Sequence, residues 1–325
     1  MTEWLSALTP IFHLSLVVLL GYLAEKTGYI PKIHSLISKI ILNLTLPLLI
    51  IISISSQDFH NLPLLDLLLI FFIGITVIIL LFITNWMISK LFHFPLQKQL
   101  LHAFLGSFGN VIFLAYPFIL SLFGQQGLFY AILFSLANDL LLWTCGIWVF
   151  NLSTQPKFQI RFVDLVNLKW NSRNIINPNT ISFIVGMLML GLGFRFPSII
   201  YTPLEKLGAT TTPLSMLFIG SVLANVNLQQ SLKKKSIWTI CFVKMILFPV
   251  LLILFFRIIR SLIYPLNAIL ISVIILQVSM PTQILLSVLA DKYKGDTEYA
   301  AQTIFITTMA SVFILPIMYY LCIAI

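Results

Sequence analysis

The sequence predicts an all-α integral membrane protein of ten transmembrane helices, arranged as two inverted five-helix repeats with helices 4 and 9 broken. Three observations carry this. Apolar residues make up 59% of the chain and charged ones 9%, with a mean hydropathy of +1.03. Successive apolar runs, most of membrane-spanning length, follow one another between short polar breaks. Fourteen of the nineteen Lys and Arg residues fall on one side of the membrane those runs define, the mark of a cytoplasmic face.

A soluble domain carries about 25% charged residues, so a chain this apolar has lipid as its solvent. No segment remains that could build a soluble catalytic domain. The net charge of +9 does not point to nucleic acid, because the basic residues sit at helix ends and set orientation. Cys145, Cys241 and Cys322 lie singly in apolar stretches, without metal-ligand or disulfide spacing, and read as small buried hydrophobes. No cofactor is expected. The start Met1-Thr2-Glu3 lacks the basic region of a cleaved signal peptide, so the first apolar run is expected to stay as a span.

Hydropathy and helix breakers place span 1 at Thr9–Leu23, span 2 at Leu36–Ile54, span 3 at Leu64–Ser89, span 4 at Leu100–Phe123 and span 5 at Leu128–Phe150. Span 6 follows at Asn179–Leu192, span 7 at Leu204–Ala224, span 8 at Ile237–Ile263, span 9 at Leu266–Ala290 and span 10 at Tyr299–Ile323. With the amino terminus outside, only Arg195, Lys206, Arg257 and Arg260 face outward. Both termini then lie outside the cell membrane. Lys244 lies within span 8, and its long stem is expected to snorkel to the headgroups. Asn85 and Trp86 read as interface anchors of span 3. His13 and His102 read as packing residues.

The longest polar stretch divides the chain into a first repeat (1–150), a linker (151–177) and a second repeat (178–325). Within the linker, Phe158, Phe162, Leu165 and Val166 recur at helical spacing among basic residues, a pattern that suits a helix lying on the cytoplasmic leaflet. Five spans on each side force the second copy to enter from the opposite face, the inverted repeat common among secondary carriers. Weak internal likeness agrees: Thr45-Leu46-Pro47-Leu48 answers Thr211-Thr212-Pro213-Leu214, and Tyr130-Ala131 answers Tyr299-Ala300.

The broken spans carry the functional reading. Span 4 contains Gly106, Gly109 and Pro117, and span 9 contains Pro281. Pro removes a backbone donor and Gly loosens the helix. Backbone groups freed in this way are tolerated at membrane depth only inside protein or along a wet cavity. Paired interruptions in corresponding spans point to a midplane binding site. The aligned breaks are Gly109-Asn110 and Pro281-Thr282.

At these residues the chain resembles the auxin efflux carrier family, which includes bacterial organic-acid permeases and the plant PIN auxin exporters. Four segments carry the likeness: Gly21–Ile50, Gly109–Trp148, Asn177–Gly193 with Thr211–Gly220, and Met280–Phe305. The resemblance implies ten helices in two inverted repeats, with helices 4 and 9 crossing in a mobile transport domain. It implies a scaffold built from the remaining helices and a homodimer formed through that scaffold. Plant relatives carry Pro where this chain has Gly109, and a larger polar residue where it has Thr282.

The expected cargo is a small organic anion, a dicarboxylate or other carboxylate. Half-helix amino termini would supply positive potential without a fixed counter-charge. Asn110 and Thr282 would add neutral donors, and Gln277 and Gln283 could extend the lining. Those two are six apart, so one of them is expected to face the cavity. Asp139, near the middle of span 5 beside Asn138, is costly there unless it faces a partner or cavity. It is the candidate to take up and release a proton during transport, with H⁺ (or Na⁺) as the coupling ion. Two other classes compete with the carrier. A membrane-embedded enzyme would need clustered catalytic groups, which the motifs do not supply. A passive channel would need a filter or oligomeric pore, whereas the repeat suits alternating access.

Overall fold

A computed structural model of the chain describes residues 16–28, 33–56, 64–146, 178–224, 232–262, 267–292 and 295–323. Regular structure among the described residues is helical, apart from one isolated antiparallel bridge. The linker 151–177 with its amphipathic stretch, and His13, lie outside the described residues.

In chain order, α1 covers residues 16–26. Helix α2 (Ile33–Ile40) runs through a π-helical turn (Ile41–Thr45) into α3 (Leu46–Ser55). Helix α4 is Leu64–Leu91 and α5 is Leu96–Ser107. Helix α6 (Ala115–Leu141) is interrupted at Gly124 (φ 62°, ψ −155°) and passes into a second π turn, Leu142–Gly146. Then come α7 (Pro178–Gly191), α8 (Ser198–Ala209), α9 (Thr211–Leu223) and α10 (Lys235–Phe242). A third π turn (Val243–Leu247) leads into α11 (Phe248–Leu262), followed by α12 (Ala268–Ser279), α13 (Leu285–Lys292) and α14 (Thr297–Ile323).

Five of these helical stretches are long and apolar enough to cross a membrane. Helix α4 shows why the sequence settles there: at about 1.5 Å per residue, its 28 residues reach across a bilayer core with turns to spare. Leu65, Leu68, Phe72, Ile79, Ile83 and Met87 are exposed along one stripe. Asp66, Ile70, Val77, Leu81, Asn85 and Ser89 are buried along the other. The helix therefore turns its apolar face to lipid and its few polar side chains inward, the reverse of a soluble helix.

The break at Gly124 falls in the expected turn between spans 4 and 5. A positive φ with extended ψ is open to Gly at no steric cost, so the chain reverses there without lengthening. Where predicted span edges fall on described residues, the helix ends otherwise lie within a few residues of them. Span 7 is the exception: it begins at Ser198, ahead of the expected Leu204, and is jointed at Thr210.

The helices pack in two groups. In the first, α3 lies against α7 and α8, and α2 lies against α9. Helix α1 joins this group through backbone-close glycines. A Cβ on Gly21 would stand 2.2 Å from the Leu217 carbonyl oxygen, and one on Gly220 would stand 1.9 Å from that of Val18. Small residues are what let membrane helices approach this closely. In the second group, α4 packs on α5 and α6, α12 on α6 and α14, α11 on α12, and α13 and α10 on α14. Each group draws helices from both halves of the chain. Between the groups, α6 touches α3 and α9, with Phe113 and Phe218 ring centroids 4.8 Å apart.

Candidate functional site

Helix α5 stops at Ser107, and Phe108 is extended (φ −87°, ψ 122°). Helix α12 stops at Ser279, and Met280 is extended (φ −62°, ψ 144°). The two extended segments run antiparallel and meet. Gly109 bridges to Thr282, the Asn110 N–H donates to the Pro281 carbonyl at 2.7 Å, and the Gln283 N–H donates to the Phe108 carbonyl at 3.1 Å. A Cβ on Gly109 would sit 3.3 Å from the Gln277 carbonyl oxygen, so a small residue suits the close approach.

A helix end exposes carbonyls that need donors, and in a buried setting each must find one. At the end of α5 they are met one by one. The Leu105 carbonyl accepts from Thr282 Oγ1 at 2.8 Å, that of Gly106 from Asn85 Nδ2 at 3.2 Å, and that of Phe108 from Lys244 Nζ at 2.5 Å. The Thr282 N–H in turn donates to Thr307 Oγ1 at 3.1 Å. Helices α4, α11's preceding π turn and α14 are thus tied to the crossing.

Two expectations are corrected here. Lys244 does not snorkel: it is 1% exposed and points to the crossing. It shares the buried face of Ile237, Ile240 and Cys241, while Phe242 and Leu247 face outward. Asn85 is no interface anchor: it is wholly buried on the inner face of α4 and fills the space beside Gly106.

Both Gln277 and Gln283 reach α6. Gln277 Nε2 donates to the Ala131 carbonyl at 3.2 Å, and Asn138 Nδ2 lies 3.5 Å from Gln283 Oε1, a long contact. The non-helical residues between them reset the helical phase, so spacing by six no longer separates faces. Asp139 accepts from Asn138 Nδ2 at 3.4 Å, one step back from the crossing. Nearby, Tyr116 and Ser135 share a short hydrogen bond.

Several buried polar atoms at the crossing are left over. Asn110 is 1% exposed, yet neither amide atom of its side chain has a hydrogen-bond partner among the described residues. Asn138 Oδ1 and Gln277 Oε1 are likewise buried and unmatched. Buried polar groups normally find partners, so one amide with neither atom matched and two with an unmatched oxygen make this crossing the most under-satisfied polar region among the described residues. Among the described residues, no group of three or more His, Cys, Asp or Glu is placed to hold a metal ion.

A sequence profile of the membrane transport protein family matches residues 6–319. The chain belongs to the auxin efflux carrier family. Consistent with membership, the chain is 26% identical over 329 residues to a transporter of Methanocaldococcus jannaschii that is itself uncharacterized, covering 93% of this chain and 94% of that protein. This auxin efflux carrier homologue is therefore a multi-pass membrane protein of a transport family. Its crossed breaks are the part of the fold where backbone and side-chain polarity converge.

Proposed function

We propose that this family member is a secondary carrier moving a small organic anion, a dicarboxylate or other carboxylate, by alternating access. The observation that carries the reading is Asn110: a buried amide with no partner, seated where two interrupted helices cross. Backbone N–H groups opening the helices after the breaks, α6 at Ala115 and α13 at Leu285, would favour negative charge there.

The two-group packing supports a scaffold of spans 1, 2, 6 and 7 beside a transport unit of spans 3, 4, 5, 8, 9 and 10. An inverted repeat of 1–150 and 178–325 is supported by matched contacts. Gly21 of span 1 abuts Leu217 of span 7, and Gly186 of span 6 abuts Ile54 of span 2. Tyr130 hydrogen-bonds Asp66 and Asn267 at one end of the transport unit, and Tyr299 hydrogen-bonds His102 and Ser236 at the other. Lys98 pairs with Asp296, and Lys234 lies 3.6 Å from Glu298. That groups three segments on one face, in keeping with a cytoplasmic side there, both termini outside and a plasma-membrane setting.

Asp139, beside Asn138, is our candidate for proton coupling. A homodimer through the scaffold would leave the transport unit free to move. The test is a thermal-shift screen of the detergent-purified protein against a panel of carboxylates. We expect at least one acid to stabilise the protein and its effect to weaken in Asn110→Ala; the Thr282 hydroxyl already donates to Leu105, so Thr282→Ala tests the joint and not the cargo contact. An acid panel without effect on the wild type would overturn the reading.

A further inference from the structure

A buried lysine with no carboxylate partner among the described residues is the least expected feature of the crossing. Lys244 is 1% exposed. Its Nζ can carry three N–H donors and among the described residues finds one partner, the Phe108 carbonyl at 2.5 Å. Among the described residues no carboxylate lies within ion-pair distance of it. A buried charge is costly unless paired or coordinated.

Part of that cost is met locally, since a cation at the carboxyl end of a helix is favoured, and Phe108 closes α5. A neutral donor would serve that capping role, as Asn85 does for Gly106. The remaining donors have no partner among the described residues. They project beside the same extended segment that holds Asn110, whose amide is also unmatched. The lysine stands on a π-helical turn, a one-residue insertion of the kind that recurs at functional sites because it re-aims a side chain.

We infer that Lys244 is the specificity-determining cation of this site, holding a carboxylate of the cargo with the donors that Phe108 leaves free. The inference rests on the anion-carrier reading and deepens it: cargo sign would be set by one side chain in span 8, outside the two broken helices. The empty site keeps the ammonium on the Phe108 carbonyl, and the loaded site adds the cargo's oxygen as the counter-charge. Because the lysine and the crossing belong to different helices of one unit, cargo charge would also draw span 8 and span 4 together.

The test compares each carboxylate of the thermal-shift panel with its uncharged amide, on wild type, Lys244→Gln, Lys244→Arg and Asn110→Ala. Glutamine can still donate to the Phe108 carbonyl but lacks the charge. We expect Lys244→Gln to lose about tenfold or more in apparent affinity for the acid while its affinity for the amide holds. Lys244→Arg, which keeps the charge whether or not the glutamine variant can be purified folded, should retain the preference for acid over amide. Unchanged acid affinity in Lys244→Gln, an equal loss for acid and amide, or loss of the acid preference in Lys244→Arg would overturn the inference. If acid binding is lost in Asn110→Ala yet kept in Lys244→Gln, the carrier reading stands and this inference falls. If no acid stabilises the wild type, both fall together.

Discussion

The main-chain N–H of Asn110 donates to the carbonyl of Pro281 at 2.7 Å, joining the break of one half of the chain to the break of the other. Both residues have left their helices, so this bond replaces the intrahelical partners that each break removed. The Gln283 N–H to Phe108 bond at 3.1 Å does the same on the opposite side of the Gly109–Thr282 bridge. The crossing is therefore a structural joint as well as a candidate site, and the two roles separate by substitution.

Thr282 belongs to the joint. Its hydroxyl donates to Leu105 and its N–H is held by Thr307. Thr282→Val keeps the shape and removes the donor, leaving a buried carbonyl unmatched at a cost of about 1–3 kcal/mol. Thermal unfolding of the purified variant should show a lowered midpoint. An unchanged midpoint would mean the hydroxyl carries none of the joint.

Gly106 and Asn85 fit together as a pair. A Cβ on Gly106 would come within 2.2 Å of Asn85 Cγ. Gly106→Ala should destabilise by about 1–3 kcal/mol through overpacking. In Gly106→Ala with Asn85→Ala the clash is gone, so the double variant should lose less than the two single losses combined, a coupling read from the same unfolding midpoints. Strict additivity would contradict the contact.

These two pairs also mark what the sequence could and could not convey. The apolar helical class and both breaks were legible, because runs of apolar residues and the Gly and Pro that interrupt them are local signals. The side chains that serve the breaks were not, because Asn85 and Lys244 reach the crossing by the rotation of spans 3 and 8, which neighbours decide. A partial signal was present. Asn85 falls on the same face of α4 as Asp66, Ile70 and Leu81, and Lys244 on that of Ile237 and Cys241; a polar residue in the middle of a buried stripe faces protein, not headgroups. The convergence of Gln277 and Gln283 on α6 was hidden because the break itself destroys the periodicity used to assign faces.

The Lys98–Asp296 pair, at 2.8 Å, ties the start of α5 to the start of α14. Burial alone would raise the Asp296 carboxyl. The hydrogen bond from Lys98, the Tyr299 N–H and the charges of Lys98 and Lys234 outweigh it and hold the carboxyl below its usual range. A depressed folded value means the stabilisation is present above the unfolded carboxylate range, about pH 4, and is lost as pH falls through the folded value. The groups are partly exposed, so the contribution is at most about 1 kcal/mol. Asp296→Asn should lower the unfolding midpoint slightly at neutral pH and not at strongly acidic pH. A difference that grew on acidification would reverse the assignment.

Asp139 bears on coupling. If its carboxyl carries the proton, Asp139→Asn should leave a folded protein whose uptake no longer varies with pH. Proteoliposome uptake under an imposed pH gradient measures this. Full pH-dependent uptake in the variant would remove Asp139 from the cycle.

The central claim, that cargo is held at the crossing and carried by alternating access, is met most directly by counterflow of a labelled carboxylate in proteoliposomes, comparing wild type with Asn110→Ala. The wild type should show a transient accumulation of label driven by unlabelled acid inside. The variant, correctly folded, should lose about tenfold or more of that flux, as expected when a donor to a charged ligand is removed. Label that equilibrates in the wild type without transient accumulation, or an Asn110→Ala flux equal to the wild type, would contradict the account.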